Sequence, residues 1–121
     1  MKVAGRVAIL RQGRVLIASL QEALGDSDIL GLQSDILRDV IRHRATGVIV
    51  DVSALDVLDS FGTRTLADMA AAVQLRGARL AIVGIQPDVA FSMVLMGLTL
   101  TGVATARDLE TGLALLTGAG E

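Results

Sequence analysis

The chain has 121 residues, which is enough for one domain and too short for two ordinary ones. Hydrophobic residues make up 52% of it and charged residues 20%, a composition typical of a folded globular domain and incompatible with a disordered chain. The lack of cysteine excludes disulfides and thiolate chemistry, and a net charge of −2 with only two aromatic residues argues against nucleic-acid binding.

The first predicted elements are two short apolar strands, over residues 7–10 and 15–18, separated by Gln12 and Gly13. This pattern is typical of a β-hairpin. A cluster of helix-capping residues at 25–28 then precedes apolar residues spaced three and four apart over residues 29–41. That spacing predicts an amphipathic helix, which we expect Gly47 to end.

The rest of the chain is predicted to alternate strands with helices. Strands are expected over residues 48–52, 80–83 and 103–105, and helices from Asp59-Ser60 to about Gly77, over residues 89–96, and from Asp108 to residue 116. The predicted order is ββαβαβαβα, and we expect residues 118–121 to be frayed. We therefore expect one α/β domain over residues 1–121, with a mixed sheet in which an N-terminal hairpin is followed by alternating helices and strands.

One uncharged stretch, residues 89–106, reaches the lower length limit of a membrane-spanning helix. Two glycines, a serine and three threonines interrupt it, so we expect a helix, a loop and a strand there instead. The N-terminal residues alternate apolar side chains with arginines and lack the long apolar stretch of a signal peptide. We therefore expect a cytoplasmic protein.

Familiar enzyme motifs are missing from the sequence. Neither the G-x-G-x-x-G nor the G-x-x-x-x-G-K phosphate-binding pattern occurs, and a single histidine excludes H-E-x-x-H. That histidine, His43, lies between Arg42 and Arg44 at a predicted helix end, where positive charge favours the negative end of the helix dipole. We expect a structural role for His43 and no cofactor.

Three carboxylates lie close together in the sequence, at Asp51, Asp56 and Asp59. They are compatible with a magnesium site or a phospho-accepting aspartate in a receiver-like or small-ligand-binding domain. A receiver domain also needs an acidic pair after its first strand, and the early strands here are followed by no acidic pair. We favour ordinary structural roles, in which Asp51 ends a strand, Asp56 lies in a loop and Asp59 caps a helix.

Ser60 stands at the predicted start of a helix, where the first backbone amides have no intrahelical partner. A phosphoryl group on this hydroxyl would meet the positive end of the helix dipole without disturbing the core. Serine is also a common helix-capping residue, and the residues alone favour that simpler role for Ser60.

The stretch VIVDVSALDVLDSFGTRTLADM, residues 48–69, resembles the central signature of STAS domains, the fold of bacterial anti-sigma-factor antagonists. In that family a strand ending in aspartate leads to an Asp-Ser pair and a glycine at a helix start, here Asp51, Asp59, Ser60 and Gly62. The segments GARLAIVGIQPDVA and TARDLETGLALL match the family's later elements. The resemblance therefore covers nearly the whole chain, and it is strongest to single-domain scaffold members of the stressosome.

The resemblance implies a function. Such scaffolds are not enzymes. They assemble with RsbR-type STAS co-antagonists and hold an RsbT-type serine/threonine switch kinase, which they release when a serine of the scaffold is phosphorylated. An RsbX-type PP2C phosphatase then removes the phosphate. By position the phosphoacceptor is Ser60, with partner contacts expected at or beside it from Asp56, Asp59, Phe61, Gly62, Thr63 and Arg64. Phe61 departs from the second hydroxyl residue found in many antagonists. A stand-alone antagonist that binds an anti-sigma kinase remains an alternative.

The predicted helix over residues 89–96 is apolar on nearly all sides, although a helix that covers a small sheet normally has a polar outer face. Either the helix is unusually buried or it forms an interface, and we favour a homo-oligomer. Phe91 and Val94 share one face, and Met93 and Met96 form a neighbouring pair. The sequence does not say which pair faces outward.

Overall fold

Within residues 7–21, 25–100 and 102–117, which the computed structural model describes, the chain forms five strands and four helices in the predicted order ββαβαβαβα. The strands are β1 (Ile9–Gln12), β2 (Val15–Ser19), β3 (Gly47–Asp51), β4 (Arg79–Val83) and β5 (Ala104–Ala106). The helices are α1 (Asp26–His43), α2 (Ser60–Leu75), α3 (Pro87–Leu95) and α4 (Leu109–Thr117). The tail that was expected to fray, residues 118–121, lies outside the described residues.

The strands form one mixed sheet in the order β1-β2-β3-β4-β5. β1 and β2 make the predicted antiparallel hairpin, and β2 to β5 run parallel. Gly47 pairs with Val15 on one side and with Arg79 on the other, so the amino ends of three strands lie together. Asp51 pairs with Ser19 and Val83, which brings the carboxyl ends together at the opposite edge.

The strands β2, β3 and β4 are buried on both faces of the sheet. Val48 and Val50 of β3 belong to the larger core, which also contains the buried faces of α1, α2 and α3. Ile49, which points the other way, belongs to a smaller core covered by α4. Gly112 lets α4 approach closely, because a Cβ atom there would lie 2.5 Å from Cγ1 of Val83.

The prediction that Gly47 ends the first helix is wrong. α1 ends at His43 and is capped by Arg44, whose backbone is left-handed with φ of 51°. Gly47 is instead the first residue of β3, and a Cβ atom there would lie 3.0 Å from Cδ1 of Leu116 in α4. The glycine is therefore explained by helix packing on the sheet rather than by a helix terminus.

The last helix begins as predicted. The carboxylate of Asp108 accepts a hydrogen bond from the backbone N–H of Thr111 at 2.8 Å, an N-cap interaction. That hydrogen bond is the main cause that lowers the pKa of Asp108 below its ordinary value of 3.8.

The uncharged stretch over residues 89–106 contains most of α3 and all of β5, so the expected helix and strand are present; residue 101 between them lies outside the described residues. In the part of the chain that the structure describes, no helix combines the length and the apolar character needed to cross a membrane.

Candidate functional site

The loop between β3 and α2 leaves the carboxyl end of the central strand and is fixed to the elements beside it. The backbone N–H of Val52 donates to the carbonyl of Val83 at 3.0 Å. The carboxylate of Asp51 accepts from the N–H of Ser53 at 2.9 Å, and Nε2 of Gln86 donates to the carbonyl of Ser53, also at 2.9 Å. These contacts hold the first part of the loop against the end of β4 and the residue that precedes α3.

Asp59 is the N-cap residue of α2. Its backbone is extended, its carboxylate Oδ1 accepts from the N–H of Gly62 at 2.8 Å, and its carbonyl accepts from the N–H of Thr63 at 2.9 Å. The residue-based expectation that Ser60 caps the helix is therefore wrong, whereas the capping role expected for Asp59 is confirmed. The off-by-one error arises because both residue types are good caps, and only the backbone angles decide between them.

Ser60 is the first helical residue of α2 and is exposed to solvent. Its hydroxyl lies at the positive end of a helix of 16 residues, among the first-turn amides that lack carbonyl partners within a helix. An anion attached to this hydroxyl would be stabilised by that end of the helix. The site therefore combines access for a modifying enzyme with tolerance of added negative charge.

The two residues after Phe61 are buried. Gly62 is buried, and a Cβ atom there would lie 3.2 Å from both Oδ1 of Asp59 and Cδ1 of Leu58. Thr63 is only 2% exposed, and its hydroxyl has no hydrogen-bond partner among the residues that the structure describes. Gly62 and Thr63 adjoin Ser60 as expected, but their burial suits them to positioning the helix start rather than to touching a partner.

Of the other residues expected to contact a partner, Asp56, Asp59 and Arg64 are exposed and Phe61 is half-buried. The Phe61 ring is thus neither fully packed against the core nor free in solvent. The backbone carbonyl of Phe61 accepts from the hydroxyl of Thr65 at 2.8 Å. A partner approaching Ser60 would meet carboxylates before the helix and one guanidinium a turn into it.

A groove of about 350 Å³ separates the β3–α2 loop from α3. Two carboxylates and a serine contribute to its walls, and the other side chains are apolar; the lining residues are Asp56, Val57, Leu58, Asp59, Val89, Ser92, Leu95 and Met96. The groove therefore joins the surroundings of Ser60 to the outer surface of α3.

The outer surface of α3 is apolar, and the structure settles which residues form it. Val89 and Met93 are buried in the core, whereas the four residues that we call the α3 patch, Phe91, Val94, Leu95 and Met96, are exposed. Of the two pairs considered from the sequence, Phe91 and Val94 face outward together, and the Met93–Met96 pair is split. Val94 is 73% exposed, and with its exposed apolar neighbours it forms a patch of the kind that commonly marks an interface.

The three carboxylates near the site serve separate purposes. Asp51 and Asp59 each accept a backbone N–H within their own turn, and Asp56 is an exposed loop residue. Among residues 7–21, 25–100 and 102–117, histidine, aspartate and glutamate form no group of three that could hold a metal ion.

One positioning residue, Gln86, was not predicted from the sequence. Its amide supports the loop through the carbonyl of Ser53, 33 residues earlier in the chain. Gly84 assists that approach: its φ is 78°, and a Cβ atom there would lie 2.7 Å from the Cβ of Ser53. The spacing of residues within one segment of the sequence gives no indication of such a contact, because the contact depends on the register in which β3 pairs with β4.

Comparison with known proteins assigns the class. The family model of the STAS domain matches residues 6–109, so the chain belongs to the STAS-domain family. Its fold is that of the anti-sigma-factor antagonists, and the mixed sheet with an N-terminal hairpin is confirmed as the architecture of this family.

Within the family, the similarity extends to RsbS. A serine-to-glutamate form of RsbS from Moorella thermoacetica is 33% identical, with a TM-score of 0.81 over 96% of this chain and 98% of that one. A chain in a structure of the stressosome, described as a signal integration and transduction hub, is 28% identical with a TM-score of 0.74, over 94% and 99% of the two chains. The resemblance inferred from the sequence is thereby confirmed.

A longer relative matches over part of its length. The RsbT co-antagonist protein RsbRA of Bacillus subtilis is 29% identical over 82 residues, which are 68% of this chain. The chain spans only 30% of the length of that relative. The similarity therefore concerns one part of RsbRA and not the whole protein.

Proposed function

We propose that this protein is a single-domain stressosome scaffold that negatively regulates a general stress-response pathway. In this role it sequesters an RsbT-type serine/threonine switch kinase and releases it when Ser60 is phosphorylated. The observation that carries the proposal is the exposed Ser60 hydroxyl at the first residue of α2, directly after the Asp59 cap. The similarity to RsbS over nearly the full length of both chains supports it.

The switch acts on the partner rather than on the fold. A phosphoryl group adds about two negative charges at neutral pH. At Ser60 these charges lie outside the core and near the positive end of α2, so the domain stays folded. They also join the exposed carboxylates of Asp56 and Asp59 on the same surface. A kinase surface that fits the unmodified site is therefore repelled by the phosphorylated one.

The proposed partners use different surfaces. The kinase approaches Ser60 and contacts Asp56, Asp59, Phe61 and Arg64. The RsbX-type PP2C phosphatase, which removes the phosphate from the serine, contacts the same residues. The α3 patch supplies the contact between STAS domains, either with a second copy of this chain or with RsbR-type co-antagonists. Exposed apolar patches of this kind commonly mark protein–protein interfaces. The proposed role needs no cofactor, no catalytic residue and no membrane or nucleic-acid contact, and it places the protein in the cytoplasm.

The phosphoacceptor is tested by incubating the protein with ATP and a cognate RsbT-type kinase and mapping the phosphate by mass spectrometry. We expect one phosphate on Ser60, lost in Ser60→Ala. Ser53→Ala is the matched control, because Ser53 is an exposed serine in the loop just before α2. Phosphate on another residue, or labelling that survives Ser60→Ala, would contradict the assignment.

Two alternatives give different results in simple assays. A stand-alone anti-sigma-factor antagonist would bind an anti-sigma kinase in preference to an RsbT-type kinase when both compete for the protein. A receiver-like domain using Asp51, Asp56 or Asp59 would be labelled by acetyl phosphate in a magnesium-dependent reaction, and Ser60→Ala would not affect that labelling.

A further inference from the structure

The charges of this protein are separated between the two ends of the sheet. One end, which we call the basic end, is formed by the amino ends of β2, β3 and β4, the hairpin turn, and the last turns of α1 and α2. The basic end carries Arg11, Arg14, Arg42, Arg44, Arg76 and Arg79. Because the whole chain has a net charge of −2, the remainder of the molecule is strongly acidic. The opposite end, around Ser60, carries Asp51, Asp56, Asp59 and Asp88.

A groove of about 270 Å³ opens at the basic end, between the hairpin turn and the C-terminal ends of α1 and α2. Three arginines line it, with Nε of Arg14 donating to the carbonyl of Arg44 at 3.2 Å; the lining residues are Arg14, Val40, Ile41, Arg44, Ala45, Thr46, Arg76 and Gly77. Each helix end supplies only about half a negative charge. In the described part of the chain no acidic side chain lines the groove, so it stays positive.

The groove also has an apolar wall. Ile41 lies on the exposed side of α1 and is 54% exposed, next to the buried Val40. The groove is thus suited to an apolar side chain flanked by carboxylates, since arginine pairs well with carboxylate groups and the isoleucine offers apolar contact.

A segment with that chemistry lies at the opposite end of this same chain. Val57 is 61% exposed at the β3–α2 loop, with the exposed carboxylate of Asp56 before it and that of Asp59 two residues after it. The loop projects from the carboxyl end of the sheet, whereas the groove lies at the amino end. A loop and a groove on one chain therefore cannot meet, but those of two copies can.

We propose that the basic groove binds the β3–α2 loop of a second copy of this chain, in a head-to-tail contact. Val57 packs against Ile41, and Asp56 and Asp59 face Arg44 and Arg76. Asp56 and Asp59 also belong to the proposed kinase surface, so one loop binds either a second copy or the kinase. This contact is heterologous, because different surfaces of the two copies meet. A two-fold contact through the α3 patch closes a dimer and stops there, whereas adding a heterologous contact lets dimers build a larger assembly.

The test measures self-association by sedimentation velocity in a Val94→Glu background, which removes the α3 patch as a contact. We expect the Val94→Glu chain to self-associate, with a Kd that rises at least about tenfold between about 0.05 M and about 0.5 M salt. A groove variant with Arg44→Glu and Arg76→Glu, and a loop variant with Asp56→Ser and Val57→Ser, should each be monomeric. Their mixture should form a heterodimer, since one supplies an intact loop and the other an intact groove.

The matched control is Arg107→Glu, which reverses the charge of a side chain that is 86% exposed and lies outside the groove, and it should keep the association. Far-ultraviolet circular dichroism checks each fold, and Arg76→Gln provides a milder groove variant that raises the Kd without reversing charge. The proposal would be overturned if the Val94→Glu chain were monomeric at low salt or if the groove variant associated like its parent. It would also be overturned if the mixture of groove and loop variants stayed monomeric although both variants are folded.

Discussion

Replacing Asp59 separates its capping hydrogen bond from its charge. Its carboxylate accepts from the N–H of Gly62 at 2.8 Å and satisfies one of the first-turn amides of α2. Asp59→Ala removes this acceptor, and loss of an N-cap costs about 1 kcal/mol of the free energy of unfolding, within a range of about 0.5–2 kcal/mol. Asp59→Asn keeps an acceptor oxygen at the same position. It should lower the free energy of unfolding by only about a few tenths of a kcal/mol, because a negative charge near the positive end of the helix is lost.

The two variants are compared by urea unfolding followed by circular dichroism and by thermal melting. For a domain of this size about 1 kcal/mol corresponds to a fall of roughly 3–6 °C in Tm. The urea m-value should stay unchanged, because both variants expose the same surface on unfolding. Asp59→Ala should therefore melt several degrees lower than Asp59→Asn.

Equal losses in the two Asp59 variants would refute this reasoning, because they would show that the carboxylate charge stabilises α2 and the hydrogen bond does not. No loss in either would show that the start of α2 is held by other contacts. With the expected result, Asp59→Asn becomes a folded variant in which the effect of a charge beside Ser60 on kinase binding can be measured alone.

Three further outcomes are expected. Ser60→Asp should leave Tm within about 3 °C of the parent, since an exposed carboxylate at the helix start is mildly favourable, and it should release the kinase only in part because it adds one charge instead of about two. Val94→Glu should stay folded and show a lower mass than the parent in light scattering, because the α3-patch contact is lost, whereas Met93→Glu should unfold, because it places an unpaired charge in the core. The pKa of Asp108 is lower in the folded state, so its ionised carboxylate stabilises the fold at pH values above the pKa of the unfolded state, and this contribution is lost as the pH falls through the pKa of the folded state. A titration of this carboxyl group by NMR should therefore give a midpoint below 3.8.

The order of elements and the location of the site could be predicted because both depend on short-range patterns. Apolar residues spaced three and four apart marked α1, and compact apolar runs marked β3 and β4. The Asp-Ser pair marked the start of α2 to within one residue, and the STAS resemblance drew attention to Ser60.

The missed features depend on contacts between distant segments. Gly47 looked like a helix terminus, but it accommodates Leu116, which lies in the last helix of the chain. The amide of Gln86 reaches Ser53 only because β3 and β4 pair in one particular register. The outward face of α3 was equally hidden, since a helix that is apolar all round carries no periodic pattern to show which side is buried.

The central claim is that phosphorylation of Ser60 controls kinase binding, and isothermal titration of an RsbT-type kinase into the unmodified and the Ser60-phosphorylated protein tests it most directly. We expect measurable binding to the unmodified protein and a Kd at least about tenfold higher for the phosphorylated form, a difference of about 1.4 kcal/mol or more. Equal affinity for both forms, with circular dichroism showing both folded, would contradict it.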